Sequence, residues 1–329
     1  SEESRKGWSM SNHAVEVVQL GELHPHPNAD KLAIVQAFGF TVCVNKADWK
    51  PGDFAVYIPP DSIVPNTTEY AFLDGHQRIR AKKLRGIVSF GLLMPAPAGA
   101  ELGQNVAEQL GITHYEQPIL WTQGDNDIGP PGFSDTKFDI ENLRRYPGVI
   151  PDGTPVQITE KIHGACARYT FRDDRMWAGS RSGWKKATDT CLWWKALKAT
   201  PQIETFCRAN PGLVLYGEVF GRVQDLQYGS PNGVRFAAFD VSLGNGSFIH
   251  AMQANAMLAE HRVPSVPMLF CNVPYSFDFC TAAAEGDSIV PAADHIREGC
   301  VVKPLTEMYS ASVGRVIFKA VGGCYLLRS

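Results

Sequence analysis

The sequence predicts an α+β protein, a small N-terminal β-barrel followed by a larger unit of antiparallel sheets flanked by helices. Three observations predict it. From about Val15 to Ile112 the apolar residues come in short β-type runs, among them Leu32 to Val44 and Phe54 to Ile58, cut by Gly21, Gly39 and Pro51. Many short strands with Gly and Pro turns suit a small closed barrel. From about Thr113 to Gly148 the composition shifts to Gly, Pro, Asp and Asn, with Gly124-Asp125-Asn126-Asp127 and Gly129-Pro130-Pro131-Gly132. Beyond it, strand-type runs (156–159, 167–171, 214–220, 234–241, 300–302 and 315–320) alternate with helix-type stretches at 187–199 and 249–261. The expected division is residues 1–115, a connector over 116–148 and residues 149–329. The end of the connector, Phe138 to Pro147, is expected as a short amphipathic helix stopped by proline.

With 329 residues, 44% hydrophobic and 20% charged, the chain has room for two cores. A net charge of −3 provides no global basic field, so any nucleic-acid contact must come from local patches. No apolar run is long enough to span a bilayer and no signal-peptide pattern occurs, so a soluble, cytoplasmic protein is expected. The eight cysteines contain no Cys-x-x-Cys pair and read as reduced, mostly buried thiols, not as a structural zinc site. Neither Gly-x-Gly-x-x-Gly nor a Gly-x-x-x-x-Gly-Lys-Ser/Thr loop is present, so a nucleotide would have to be held by side chains.

The chemistry centres on Ile158-Thr159-Glu160-Lys161-Ile162-His163-Gly164. A lysine in a short apolar strand, followed at once by a glycine turn, is placed as a presented nucleophile. Lysine attacks only when unprotonated, so partial burial or nearby cations should pull its pKa down from about 10.4. Lys303, Arg315 and Lys319, with Arg144 and Arg145 upstream, are the candidate cations. Gly164 lets the backbone bend sharply and approach a ligand closely. By itself Lys-x-x-Gly is common. Trp184, Trp193 and Trp194 read as core aromatics.

Downstream follow Ala178-Gly179-Ser180-Arg181-Ser182, Leu215-Tyr216-Gly217-Glu218-Val219, Phe236-Ala237-Ala238-Phe239-Asp240, Arg297-Glu298-Gly299-Cys300-Val301-Val302-Lys303 and Val316-Ile317-Phe318-Lys319. In order and type these resemble the motifs of the covalent nucleotidyltransferases. Lys-x-His-Gly preceded by Glu resembles the RNA ligases more than the DNA ligases. The resemblance implies an adenylyltransferase domain in which Lys161 is the nucleophile toward ATP. It implies that Glu218 and Glu298 hold Mg2+ or Mn2+ and that Lys303 and Lys319 offset phosphate charge. Glu160, His163, Gly164, Ser180 and Arg181 would line the nucleotide site. Phe236 would stack on adenine, Phe239 would pack in the core, and Arg144 or Arg145 would touch the adenylate phosphate. Ala165-Cys166 departs from the usual Thr-Asn, which puts end preference in doubt, and Arg168 is a partial substitute.

In the first unit, Leu23-His24-Pro25-His26-Pro27-Asn28-Ala29-Asp30-Lys31-Leu32 resembles the entry of an OB fold of the tRNA-binding type. His24-x-His26 reads as part of a rigid proline loop, not a metal pair. Gln77-Arg78-Ile79-Arg80-Ala81-Lys82-Lys83-Leu84-Arg85-Gly86 is the most basic run, either a solvated face or a phosphate-contacting one. It resembles part of the N-terminal domain in one branch of ATP-dependent RNA ligases. The expectation is a monomeric ATP-dependent RNA ligase sealing 3′-hydroxyl/5′-phosphate breaks through lysyl-AMP and RNA-adenylate, with a nicked RNA duplex as its partner. The alternatives are an mRNA guanylyltransferase using GTP, a DNA ligase, or a non-catalytic RNA-binding module.

Overall fold

A computed structural model describes residues 13–133 and 138–328. The chain separates into two compact units. The first holds the residues up to Glu116 together with Arg144–Pro147 and those from Gly323 onward; the second holds Gln117–Leu143 and Gly148–Gly322. Among the described residues no helix is long and apolar enough to cross a membrane.

The first unit is built from short antiparallel strands. Glu16–Gln19, Phe54–Ile58 and Leu92–Pro95 form one sheet with the middle strand at its centre. Alternate residues of that strand serve two clusters: Ala55 and Tyr57 pack with Val35, Val42 and Leu93, while Val56 and Ile58 pack with Val17, Ile79 and Ile112. This period-two division is why Phe54–Ile58 reads as a nearly continuous apolar run. Leu32–Ala37 and Phe40–Asn45 form a hairpin through Phe38-Gly39, both at positive φ, the geometry that two-residue hairpin turns require. His26 is structural. Its Nδ1 accepts from the Asn28 amide at 3.1 Å, leaving Nε2 to donate to the Leu84 carbonyl at 3.1 Å.

The basic run folds into this unit as a second hairpin, Lys82–Leu84 with Ile87–Ser89, turning at Arg85-Gly86. Ile79 and Ala81 point inward while Arg80, Lys82, Lys83 and Arg85 are exposed. Arg78 is taken up by Asp61 at 2.7 Å and lies over Tyr115.

The second unit contains two five-stranded sheets. In one the order is Glu141–Asn142, Phe318–Val321, Gly299–Pro304, Pro155–Lys161, Met268–Pro274; in the other it is Trp184–Lys185, Arg175–Ser180, Ala165–Arg172, Val214–Gly221, Val234–Ser242. All pairs are antiparallel except the first, Glu141–Asn142 beside Phe318–Val321. Helices Leu192–Ala199, Gln202–Ala209 and Ala251–Glu260 contribute Trp193, Phe206 and Leu258 to the core beneath the second sheet, against Ala167, Tyr169, Val219 and Phe236. Trp184 and Trp193 are buried and Trp194 is partly so, as expected of core aromatics.

Two expectations are corrected here. The stretch read as a connector is part of the second unit over 117–143: the Leu120 amide donates to Val223, Leu192 to Thr122 and Asp127 to Trp184, and Gly129 lies against the Trp184 ring. The helix expected over 138–147 is instead the strand Glu141–Asn142 and a single 3-10 turn, Leu143–Arg145. Ten residues nucleate a helix poorly, and pairing with the open edge at Phe318–Lys319 offers the backbone a better partner.

Gly217 has no room for a side chain, since a Cβ there would lie 2.3 Å from the Phe236 ring. Gly217→Ala is expected to destabilise the protein by about 1–3 kcal/mol through overpacking, read as a lowered midpoint in urea unfolding.

Candidate active site

Lys161 is the last residue of its strand and lies opposite Gly299 on the neighbouring one. Side chains directly opposite in antiparallel pairs share a face. Gln157 is opposite Lys303, Thr159 is opposite Val301, and Val301 is in turn opposite Lys319. Lys161, Lys303 and Lys319 therefore emerge on one face of this sheet. The facing surface of the second sheet carries Glu218, opposite Cys166, and Tyr216, opposite Asp240.

Between these surfaces the lysine meets carboxylates. Its Nζ is 2.9 Å from Glu298 Oε1, and Glu218 adds a second negative charge. Burial alone would favour the neutral amine, but Glu298 and Glu218 outweigh it and hold the Lys161 pKa above the usual lysine range. This reverses the sequence expectation, in which cations were to pull the pKa down. Lys319 is the amine pulled downward, by burial first and then by the charge of Lys161. The carboxylates differ as well. Burial pushes Glu218 up to about 7, whereas at Glu298 burial is overcome by Lys161 and His163, leaving it at about 2.

After Lys161 the chain crosses from one sheet to the other through Ile162–Gly164. Gly164 sits directly on the second sheet, where a Cβ would be 2.2 Å from the Val219 carbonyl oxygen. No other residue fits that crossing. The His163 amide donates to the Tyr228 hydroxyl at 2.7 Å. Its ring lies between two carboxylates, with Nε2 2.9 Å from Asp225 Oδ1 and Nδ1 3.4 Å from Glu298 Oε2. Burial disfavours the imidazolium, yet these two partners raise the His163 pKa to about 9.

Lys303 shares the Lys161 face but is bound elsewhere. Its Nζ is 3.1 Å from Asp240 Oδ1, whose other oxygen is 2.7 Å from Arg315. Arg315 also grips Glu307 with two donors, at 2.7 and 2.6 Å, and lies over Phe248. Burial alone would raise the Asp240 pKa, but the two cations drive it below the ordinary carboxylate value.

Other expected residues stand apart. Glu160 points to the opposite face from Lys161, where its carboxylate accepts from Ser288 Oγ at 2.6 Å and the Ile289 amide at 2.8 Å. Phe236 cannot stack on a base in this structure. It lies opposite Val219 on the helix-covered face, edge-on to Tyr169 at 5.4 Å, while Phe239, displaced by the bulge at Tyr216/Gly217, packs half-buried against Phe138. Ser180 organises its own turn, its Oγ accepting from the Ser182 and Gly183 amides. Arg181 is half exposed, 4.0 Å from Asp139, and acts electrostatically on Cys166. Arg144 and Arg145 belong to the first unit, where Arg145 pairs with Glu16 and lies over Phe38, and the Arg144 carbonyl closes on Gly39.

Asp225, Tyr228 and Asp240 are the residues that sequence reasoning passed over. Asp240 ends the Phe236-Ala237-Ala238-Phe239-Asp240 motif, whose resemblance assigns it no role. Asp225 and Tyr228 lie in a loop without periodicity or spacing to mark them.

Glu218 and Glu298 are the carboxylates available for a cation. Among the described residues no group of three or more His, Cys, Asp or Glu is preassembled around a metal position. A buried carboxylate beside a partly buried one whose pKa is raised by desolvation fits a hard cation that keeps waters and takes phosphate oxygens.

The buried Asp240 cluster predicts an acid response. A carboxylate whose folded pKa is depressed contributes its full stabilisation above 3.8, its unfolded value, and loses it as pH falls through the lower folded pKa. Asp240→Asn leaves the buried Lys303 without its carboxylate and Arg315 with Glu307 alone, and should cost about 3–5 kcal/mol at neutral pH. In urea titrations that difference from wild type should shrink as the pH falls through the folded pKa.

An RNA ligase family profile matches residues 154–321 and an OB-fold domain profile matches residues 14–96. No curated protein sequence matches the chain. Among solved structures the chain is similar to Naegleria gruberi RNA ligase. A lysine-to-alanine variant of that ligase, solved with ATP and Mn, shares 26% identity at TM-score 0.80, covering 95% of this chain and 98% of that one. A glutamate-to-alanine variant with AMP and Mn shares 26% identity at TM-score 0.79, over 96% and 98%. With the profile spanning half of the sequence and a lysine held against two carboxylates at its centre, the chain belongs to the RNA ligase family.

Proposed function

We propose that this chain is an ATP-dependent RNA ligase that seals 3′-hydroxyl/5′-phosphate breaks, at nicks in RNA-containing duplexes, through lysyl-AMP and RNA-adenylate. The observation that carries this reading is Lys161, 2.9 Å from Glu298 at the end of its strand, with Lys319 on the same sheet face. The similar Naegleria ligase was solved with ATP, with AMP and with Mn, which supports the same nucleotide and a divalent metal here.

In the first step the Lys161 amine, having lost its proton, attacks the α-phosphorus of ATP. A phosphorus–nitrogen bond forms and pyrophosphate leaves with the electrons of the broken phosphorus–oxygen bond. The AMP then passes to a 5′-phosphate end, and a 3′-hydroxyl displaces it to form the phosphodiester. Lys319, and Lys303 if released from Asp240, would offset charge on the phosphate oxygens. A divalent cation held by Glu218 and Glu298 would neutralise the carboxylates that keep Lys161 protonated and would add positive charge beside the phosphate. His163 and Gly164 hold the turn that presents the lysine.

The exposed cations Arg80, Lys82, Lys83 and Arg85 support binding to the backbone of duplex RNA. Arg78 contributes less, being committed to Asp61.

Intact mass of the protein incubated with ATP and Mn2+ tests the class. One adenylate should appear in wild type and be absent from Lys161→Ala. Transfer of GMP from GTP would make the chain a guanylyltransferase instead.

Substrate geometry is tested separately. Replacing Lys82, Lys83 and Arg85 by alanine should weaken nicked-duplex binding and flatten the log–log salt dependence by about 0.9 for each phosphate no longer neutralised. Lysine adenylation should be unchanged. An unaltered slope would remove the hairpin from the interface.

A further inference from the structure

The connection between Val214–Gly221 and Val234–Ser242 contains residues that grip the turn after Lys161 at separate atoms. Tyr228 OH accepts from the His163 amide at 2.7 Å, and Asp225 Oδ1 lies 2.9 Å from His163 Nε2. The other ring nitrogen faces Glu298 Oε2 at 3.4 Å, and Glu298 Oε1 is 2.9 Å from Lys161 Nζ. Asp225, His163, Glu298 and Lys161 thus form one continuous line of polar contacts ending at the reacting amine.

Tyr228 is itself fixed. It is 1% exposed, its ring meets Phe220 at 5.3 Å and His295 at 4.5 Å, both edge-on, and its backbone holds the left-handed region at φ 49. That conformation is uncommon for a bulky residue and persists only where the surroundings determine it. The Tyr228 carbonyl also accepts from Arg235 at 3.2 Å, and Gly229 closes on Ala292, where a Cβ would come within 2.5 Å of its oxygen. The tyrosine hydroxyl is therefore delivered to the turn from a braced loop.

Resting on the ligase reading above, we propose that Asp225 and Tyr228 are positioning residues for lysine adenylation: they hold His163 in the one orientation that steers the Glu298 carboxylate toward Lys161. Neither touches the reacting amine. Tyr228 sets the height of the turn through the backbone, and Asp225 sets the plane of the imidazole. With Asp225 truncated the ring keeps one anchor of two and Glu298 samples more orientations, so it is less often placed both to position the amine and, once a cation takes up its charge, to let the amine lose its proton. The loss falls on the rate of charging, because the polar line runs to the lysine and its carboxylate.

The test is single-turnover adenylation of the full chain with ATP and Mn2+, followed by intact mass, for wild type, Asp225→Ala, Asp225→Asn and Tyr228→Phe. Asp225 is 43% exposed on its side chain, so its truncation leaves the fold intact, which a thermal melt checks. Asp225→Ala should charge about 10–100-fold more slowly at saturating ATP, the usual cost of losing an outer orienting partner, with the half-saturating ATP concentration nearly unchanged. Asp225→Asn keeps an oxygen acceptor for Nε2 and should recover most of the rate. Tyr228→Phe, which removes only the hydroxyl, should be slowed in the same way. Wild-type charging by Asp225→Ala, or no recovery in Asp225→Asn, overturns the role given to Asp225; wild-type charging by Tyr228→Phe overturns that of Tyr228. A wild-type protein that never gains adenylate would overturn the ligase reading and this one together.

Discussion

A protonated lysine held 2.9 Å from a glutamate between two sheets is the interaction around which the second unit is arranged. Taking opposite charges out of water costs more than their attraction returns unless geometry and further hydrogen bonds complete the pair. The fold answers with charge contacts, His163 Nδ1 3.4 Å from the second Glu298 oxygen and Asp225 2.9 Å from the far side of the imidazole. It also leaves Glu218 nearby, partly buried, with its pKa pushed up to about 7 by desolvation. A carboxylate held near neutrality in this way ionises fully when a cation binds beside it.

A second charged cluster lies further along the same face. Lys303 and Arg315 share the Asp240 carboxylate, and Arg315 is held again by Glu307. The two clusters are alike in plan, each a lysine satisfied by an acidic partner from another stretch of the chain. They differ in access: the Lys161 side chain is 22% exposed and that of Lys303 is 4%. The more open lysine is suited to meet a nucleotide, while the enclosed one ties the sheets to each other.

Glycine determines how closely these surfaces approach. At Gly164 the chain passes from one sheet to the other against the Val219 carbonyl, and at Gly299 a Cβ would fall 2.0 Å from the Ala320 oxygen. Both flank the charged pair, Gly164 three residues after Lys161 and Gly299 immediately after Glu298. A side chain at either would push apart the strands that bring lysine and glutamate together.

Much was legible in the residue order. The alternation of short apolar runs located the strands at 155–161, 165–172, 214–221, 234–242 and 299–304 to within a few residues, because a two-residue period is a local property. Lys161, His163, Glu218 and Glu298 could be singled out because short motifs surround them, and the structure brings all four together. Tertiary structure decided what local pattern does not encode. The bulge at Tyr216/Gly217 turned Phe236 into the core and left Phe239 half-buried. Pairing with the Phe318–Val321 edge made a strand where a helix was expected. The sign of the charge around Lys161 came out opposite to expectation because electrostatic neighbours are set by through-space distance. Asp225 lies 62 residues (225 − 163) from the histidine that it orients. Sequence determines which side chains are available and how each strand alternates; only the packing of one sheet on the other determines which charges meet.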